Sequence, residues 1–183
     1  RRELETSLRQ LQTDYIDIYQ LHGLDSRDGR EQALAPGGAV DAARKAQEQG
    51  LIRFLGLTGH VWDEIGQGVA TGVFDTVLCW YNCAMKEPES AVFPAAAAHD
   101  VGVVIMNAGR NDKLFKGPAA PAPEQFYRYV LSHPAVALTI MGLRDVPRFV
   151  HVAAALAARA DLDGDEKAAL ETYGAARRAA GAL

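Results

Sequence analysis

The chain has 183 residues, 49% apolar and 23% charged, which is typical of a globular protein with a sizeable core and excludes disordered and collagen-like chains. Its net charge of -4 argues against the broad basic surface of non-specific nucleic-acid and membrane-surface binders, and no apolar run reaches the roughly 18 residues of a membrane span. Two cysteines, Cys79 and Cys83, cannot form a disulfide framework for this length, so a reducing, cytoplasmic setting is expected.

Helical and β-rich segments alternate along the chain. Leu4, Leu8 and Leu11 recur on one face of a first helix, which no capping residue precedes, so we expect the sequence to begin inside an element. Runs of β-branched and aromatic residues predict five strands buried on both faces, over residues 15–21, 52–58, 76–81, 101–106 and 137–141. Stretches rich in Ala, Glu, Lys and Arg predict helices over residues 39–49, 62–71, 94–100, 123–133, 146–159 and 164–180.

The order of these elements predicts βαβ units with a parallel sheet in a single domain, residues 1–183. Two long loops, 23–38 and 109–123, follow strand ends, where barrels and open α/β sheets bind their ligands. An eight-unit barrel needs about 250 residues, so this chain accommodates only about five units. Cys79 and Cys83 lack a second pair of metal ligands, and we interpret both as small buried apolar residues.

Four segments follow one another in a recognisable order: SLRQLQTDYIDIYQLHG at 7–23, GLIRFLGLTGH at 50–60, HDVGVVIMNAG at 99–109 and FYRYVLSHPAVALTIMGLR at 126–144. Together they resemble the aldo-keto reductase superfamily. The resemblance implies a (β/α)8 TIM barrel, of which the five strands here are strands four to eight, so a partial barrel of five βα units is expected. It also implies reduction of aldehydes or ketones with NADPH.

The resemblance identifies one catalytic residue in this chain, His22. This imidazole follows an apolar strand and can donate a hydrogen bond that polarises a substrate carbonyl. The family's aspartate, tyrosine and lysine belong to earlier strands, so the chain alone is expected to be inactive. Tyr15 and Tyr19 are interpreted as buried mid-strand aromatics that fill a core or a sheet face, and Asp14 and Asp17 as capping or packing groups.

Thr58 ends the second predicted strand, and the resemblance implies that its hydroxyl holds the nicotinamide carboxamide. Two neighbouring positions depart from the family pattern, since Gly59 replaces an asparagine and Leu78 a glutamine. For His60 two interpretations stay open: it reaches the mouth of the sheet, or it begins the next helix with Trp62.

The remaining cofactor residues follow the fourth and fifth strands. Met106 stands where relatives stack an aromatic on the nicotinamide. Asn107, Gly109, Arg110 and Asn111 form a loop that either cradles a pyrophosphate or is an ordinary solvated turn. Arg144 and Arg148 flank a helix start, which predicts a seat for the 2'-phosphate of NADP.

Two functions therefore compete. The first is an NADP-dependent aldo-keto reductase acting on a small carbonyl substrate. The second is a non-catalytic nucleotide-binding or sensory protein of the same fold, favoured by the departures at Gly59, Leu78, Met106 and Val152, the last standing where the resemblance implies an asparagine that contacts adenine. A third interpretation is a remnant without function. No nucleic-acid or membrane partner is expected, and the pattern fits a monomer and a multimer equally.

Overall fold

The computed structural model describes residues 2–117 and 119–183, so Arg1 of the first predicted helix and Pro118 of the second predicted loop lie outside it. Helices and strands follow one another as α1 (Arg2–Leu11), β1 (Ile16–His22), α2 (Arg27–Leu34), α3 (Ala39–Glu48), β2 (Ile52–Thr58), α4 (Trp62–Val69), β3 (Thr76–Trp80), α5 (Pro88–Ala91), α6 (Phe93–Ala98), β4 (Gly102–Met106), α7 (Pro123–Leu131), β5 (Val136–Thr139), α8 (Val146–Ala158) and α9 (Gly164–Ala179).

The strands form one five-stranded sheet in the order β1-β2-β3-β4-β5. The pairs β1–β2, β2–β3 and β4–β5 are parallel. The register aligns His22 with Thr58, and Thr58 with Leu78. The predicted parallel α/β architecture is confirmed, and the carboxyl ends of β1 and β2 lie level with each other.

Local capping explains where several helices begin and end. Gly50 has a φ of 71°, the left-handed conformation that ends α3. Asp163 and Glu166 form a reciprocal capping box at the start of α9. Within the loop predicted over residues 23–38, Ser26 accepts a hydrogen bond from the Gly29 amide at 3.1 Å and caps α2, a helix that the sequence analysis missed. Helix α5 was missed as well, because four residues are too few for a periodic pattern.

The prediction that every strand is buried on both faces is wrong. Ile18 is 42% and Phe54 44% exposed, and these residues are register partners on one face of the β1–β2 pair. Leu138 of β5 is 46% exposed. Strands β1 and β5 are the outer strands of the sheet, with a neighbour on one side only. Tyr15 likewise precedes β1 and is 46% exposed, so it is not a core aromatic.

The chain divides into two compact units, the first comprising Arg1–Leu78 and Ala91–Gly102, the second Cys79–Ser90 and Val103–Leu183. The single domain over residues 1–183 stays a prediction. In the first unit Leu55 and Leu57 of β2 are fully buried, as is Ile65 of α4. Arg30 is nearly buried, forms an ion pair with Glu64, and donates to Gln67 Oε1 at 2.7 Å.

The second unit contains a buried pair of tyrosines joined to carboxylates. The hydroxyl of Tyr81 donates to Glu89 at 2.8 Å, and that of Tyr129 donates to Glu171 at 3.0 Å. Lys86 Nζ lies 2.8 Å from Glu171, and this hydrogen bond holds the pKa of Glu171 below its usual range. Burial raises the pKa of Tyr129. The phenols are therefore neutral donors and Glu171 an anionic acceptor.

Both cysteines lie in this second unit and are buried and free, as predicted. Burial raises the pKa of each thiol to about 12. Gly174 of α9 packs so closely on the Cys83 carbonyl that a β-carbon there would overlap it. In the part of the chain that the structure describes, no group of His, Cys, Asp or Glu side chains is arranged to hold a metal ion, and no helix is long and apolar enough to cross a membrane.

Candidate active site

His22 and Thr58 are neighbours at the carboxyl ends of β1 and β2, in the first unit. The His22 side chain is exposed, and its ring lies edge-on to that of His60 with 5.2 Å between centroids. Thr58 is only 4% exposed, and its hydroxyl has no hydrogen-bond partner among the described residues. Burying a hydroxyl without a hydrogen-bond partner costs free energy unless a ligand or a water molecule supplies that hydrogen bond. The pair therefore combines an accessible imidazole with an unsatisfied buried hydroxyl.

The turn after β2 is held by Asp25, a residue that the sequence analysis missed. Its Oδ1 accepts hydrogen bonds from the backbone amides of His60 and, at 3.1 Å, Val61. Asp25 thus satisfies amides ahead of α4, where Val61 offers no side-chain cap. A β-carbon at Gly59 would lie 2.5 Å from the same carboxylate oxygen. A side chain at position 59 would therefore displace the Asp25 carboxylate from this turn.

Of the two interpretations of His60, its contact with His22 favours the one at the mouth of the sheet, whereas Val61 is the N-cap residue of α4. The backbone of His60 lies two residues before α4 and is fixed by Asp25, and its ring contacts His22.

The second unit contains a pocket of about 230 Å³ after β4 and β5. Its lining includes Asn107, Gly109, Arg144 and Arg148, four of the five cofactor residues predicted in this unit, whereas Met106 is not part of it. The pocket lies at the N-terminus of α8, whose N-cap Asp145 accepts a hydrogen bond from the Arg148 amide at 3.0 Å. Helix N-termini favour anions. Two arginines and a helix N-terminus thus converge on one cavity.

Arg148 is already engaged by two carboxylates. Its Nη1 lies 2.9 Å from Asp112 Oδ2 and its Nη2 3.1 Å from Asp145 Oδ2, and the hydrogen bond with Asp112 raises the pKa of the guanidinium. Arg144 is exposed and forms no ion pair with any described residue. An anion that binds Arg148 in the pocket would therefore have to replace one of these two carboxylates as its partner. The sequence analysis named neither carboxylate; an aspartate followed by proline in the first turn could have revealed Asp145 as an N-cap, whereas no local pattern marks Asp112.

The loop that follows β4 has an unusual backbone. Asn107, Arg110, Asn111 and Asp112 have φ values of 63°, 50°, 53° and 65°, in the left-handed region that non-glycine residues rarely adopt. The amide of Arg110 donates to the Asn107 carbonyl at 2.9 Å, so it is used within the loop. The side chain of Asn82 donates to the same carbonyl at 3.0 Å. This loop is therefore a fixed series of turns.

The family model of the aldo/keto reductases, "Aldo/keto reductase family", matches residues 1–116. The chain belongs to this family. The resemblance found in the sequence is confirmed, and the family is one of oxidoreductases.

Curated relatives match part of the chain. It is 28% identical over 103 residues to aldo-keto reductase YhdN of Bacillus subtilis, covering 56% of the chain and 29% of the relative. It is 26% identical over 121 residues to the uncharacterized oxidoreductase YqkF of the same organism, and this match covers 66% of the chain and 37% of the relative. The chain thus spans about a third of the length of these relatives.

Solved structures of the family share the fold. The holo form of an aldo-keto reductase from Bacillus halodurans has a TM-score of 0.75 at 22% identity, and the match covers 94% of this chain and 65% of that structure. An aldo/keto reductase from Klebsiella pneumoniae, described as a complex with NADP and acetate, has a TM-score of 0.73 at 27% identity, covering 95% and 64%. The predicted partial (β/α) barrel of five strands with alternating helices is confirmed.

Proposed function

We propose that this aldo/keto reductase chain binds NADP(H) and takes part in reducing a small aldehyde or ketone, or in oxidising the corresponding alcohol. The observation that carries the proposal is the pocket at the start of α8, where Asn107, Gly109, Arg144 and Arg148 meet. The similar Klebsiella pneumoniae protein, whose structure is described with NADP, supports the choice of cofactor. The two free, buried cysteines suit a cytoplasmic setting.

Each unit, taken by itself, offers groups of the kind that such a cofactor needs. Arg144, Arg148 and the N-terminus of α8 would hold the 2'-phosphate, because a guanidinium binds phosphate bidentately and free amides add partial positive charge. The buried Thr58 hydroxyl would hold the carboxamide, which offers both a donor and an acceptor. Met106, half-buried at the end of β4, would pack against the nicotinamide. When bound, the cofactor supplies the hydride.

His22 would act on the substrate. Its imidazole donates a hydrogen bond to the carbonyl oxygen and stabilises the negative charge that grows there as hydride adds to the carbon. The exposed position of His22 at the end of β1 leaves it accessible to a substrate.

The test is a fluorescence titration of the chain with NADPH and NADH. We expect NADPH to bind more tightly, and Arg144→Ala to weaken NADPH by about tenfold, the contribution of one charge-assisted hydrogen bond, while NADH changes little. Arg27→Ala is the matched control, because Arg27 is 76% exposed and pairs only with Glu31 among the described residues. A wild-type chain that binds neither cofactor, or equal losses for both in Arg144→Ala, would overturn the proposal.

A further inference from the structure

Arg110 extends away from the pocket that its neighbours line. Gly109, Asn111 and Asp112 all contribute to that pocket, and Arg110 does not. Its guanidinium carbon instead lies 4.6 Å from the ring centroid of Trp80, the last residue of β3. The loop after β4 therefore presents polar groups to the pocket and one cation to the end of the neighbouring strand.

Arg110 also has no anionic partner among the described residues. Arg148 and Arg159 each form ion pairs with carboxylates, whereas no carboxylate lies within ion-pair distance of Arg110. Its Nε is buried and lacks a hydrogen-bond acceptor in the part of the chain that the structure describes. A buried guanidinium nitrogen without an acceptor is costly, which points to an acceptor supplied by a ligand.

The backbone and the indole hold this cation in place. Arg110 has a φ of 50°, and its amide donates to the Asn107 carbonyl, which also accepts from Asn82. Left-handed backbone at a non-glycine residue costs free energy and persists where the surroundings fix it, often at ligand sites. The cation–π contact with Trp80 restricts where the guanidinium can lie.

We propose that Arg110, supported by Trp80, binds the carboxylate of an oxo-acid substrate. This inference rests on the proposed carbonyl reduction and adds the substrate class. The ligand is an anion because only an anion compensates the charge, and a planar carboxylate matches the guanidinium fork in two hydrogen bonds. The cofactor phosphate has its own cations in the pocket, Arg144 and Arg148, which Arg110 does not join. Barrel enzymes bind reacting groups at the carboxyl ends of their strands, where Trp80 lies.

The experiment compares two oxo acids, pyruvate and 4-oxopentanoate, with their uncharged methyl esters. In a Trp62→Phe background Trp80 is the only tryptophan, so its fluorescence reports ligands near Arg110. We expect each acid to bind at least tenfold more tightly than its ester, and Arg110→Gly to abolish that preference. Glycine suits the left-handed backbone, so Arg110→Gly should keep the fold, which thermal unfolding verifies. Arg110→Lys should retain part of the preference, because it keeps the charge but not the fork.

The same titrations with NADPH and with inorganic pyrophosphate separate the alternatives. An acid preference that is lost in Arg110→Gly, with unchanged NADPH affinity, supports the inference. Equal binding of acid and ester by the wild-type chain, or an unchanged preference in Arg110→Gly, overturns it. A loss of NADPH and pyrophosphate affinity in Arg110→Gly would assign the cation to the cofactor and also overturn it. Failure of the wild-type chain to bind NADPH, with the acid preference intact, would refute only the cofactor assignment.

Discussion

Replacing Asp112 by asparagine should strengthen NADPH binding. Asp112 is 45% exposed and holds Arg148 at 2.9 Å, so a 2'-phosphate docking on Arg148 would approach a carboxylate. A phosphate monoester carries between -1.5 and -2 charges at neutral pH. At about 6 Å and a water-like dielectric constant, its repulsion by one carboxylate is about 1.4 kcal/mol, which corresponds to about tenfold in affinity. Asp112→Asn keeps the shape of the side chain and removes this repulsion.

The assay is the same fluorescence titration with both reduced cofactors. NADPH should bind about tenfold more tightly to Asp112→Asn, and the gain should shrink at about 1 M salt, where charges more than about 3 Å apart are screened. NADH should change less than about twofold, because it lacks the phosphate. Arg148→Ala should have the opposite effect and weaken NADPH by about tenfold or more. Asp161→Asn is the control, an aspartate 82% exposed beside Arg159.

Two results would refute this reasoning. Unchanged or weaker NADPH binding to Asp112→Asn would show that no phosphate approaches this carboxylate. Equal gains for NADPH and NADH would show that the substitution reshapes the pocket, with no specific effect on the phosphate.

Further predictions concern catalysis, packing and pH. Where carbonyl reduction is measured, His22→Ala should lower kcat/KM by about 10² to 10³ with cofactor affinity nearly unchanged; lost NADPH binding with an intact kcat would make His22 structural. Gly174→Ala should destabilise the protein by about 1–3 kcal/mol in denaturant unfolding, since its β-carbon overlaps the Cys83 carbonyl, and an unchanged midpoint would contradict this packing. The lowered pKa of Glu171 stabilises the fold above its unfolded pKa, near 4.5, and this contribution disappears as the pH falls through the lower folded value. Glu171→Gln should therefore flatten the acid side of the stability profile, and a profile that keeps its slope would exclude this role.

The sheet was predictable because its strands have strong local signals. The run IRFLGLT predicted β2 with the bounds that the structure has, since continuous apolar character and a following glycine mark both ends. The prediction over residues 137–141 begins one residue after the start of β5 and ends two residues beyond its end. Ile140 and Met141 are as apolar as the strand, and the Ile140 amide still donates to the Ile105 carbonyl of β4 at 2.9 Å. Helix α2 was not predicted, because Gly29 and four charged side chains leave it without a recognisable periodic pattern of apolar residues.

Some residues of the candidate site could be predicted from the sequence, and others could not. Strand-end residues such as His22 and Thr58 are visible in a sequence, because a polar group directly follows an apolar run. Asp25 and Asp112 are not visible, because each acts on a residue about 35 positions away along the chain. Contacts of this kind are created by the tertiary fold and leave no local periodicity. Arg110 was recognised as a loop residue, yet its position over Trp80 depends on how two strands pair.

The rate at which the two thiols are alkylated reports how often the second unit opens around them. Cys79 is fully buried and Cys83 only 2% exposed, and a pKa of about 12 leaves almost no thiolate at neutral pH. An alkylating reagent can therefore react only with molecules that have transiently opened around these residues. When reclosing is faster than alkylation, the labelling rate measures the free energy of opening, and in excess reagent it approaches the opening rate itself. Because no other cysteine is present in the sequence, wild-type protein gives this signal without any engineered label.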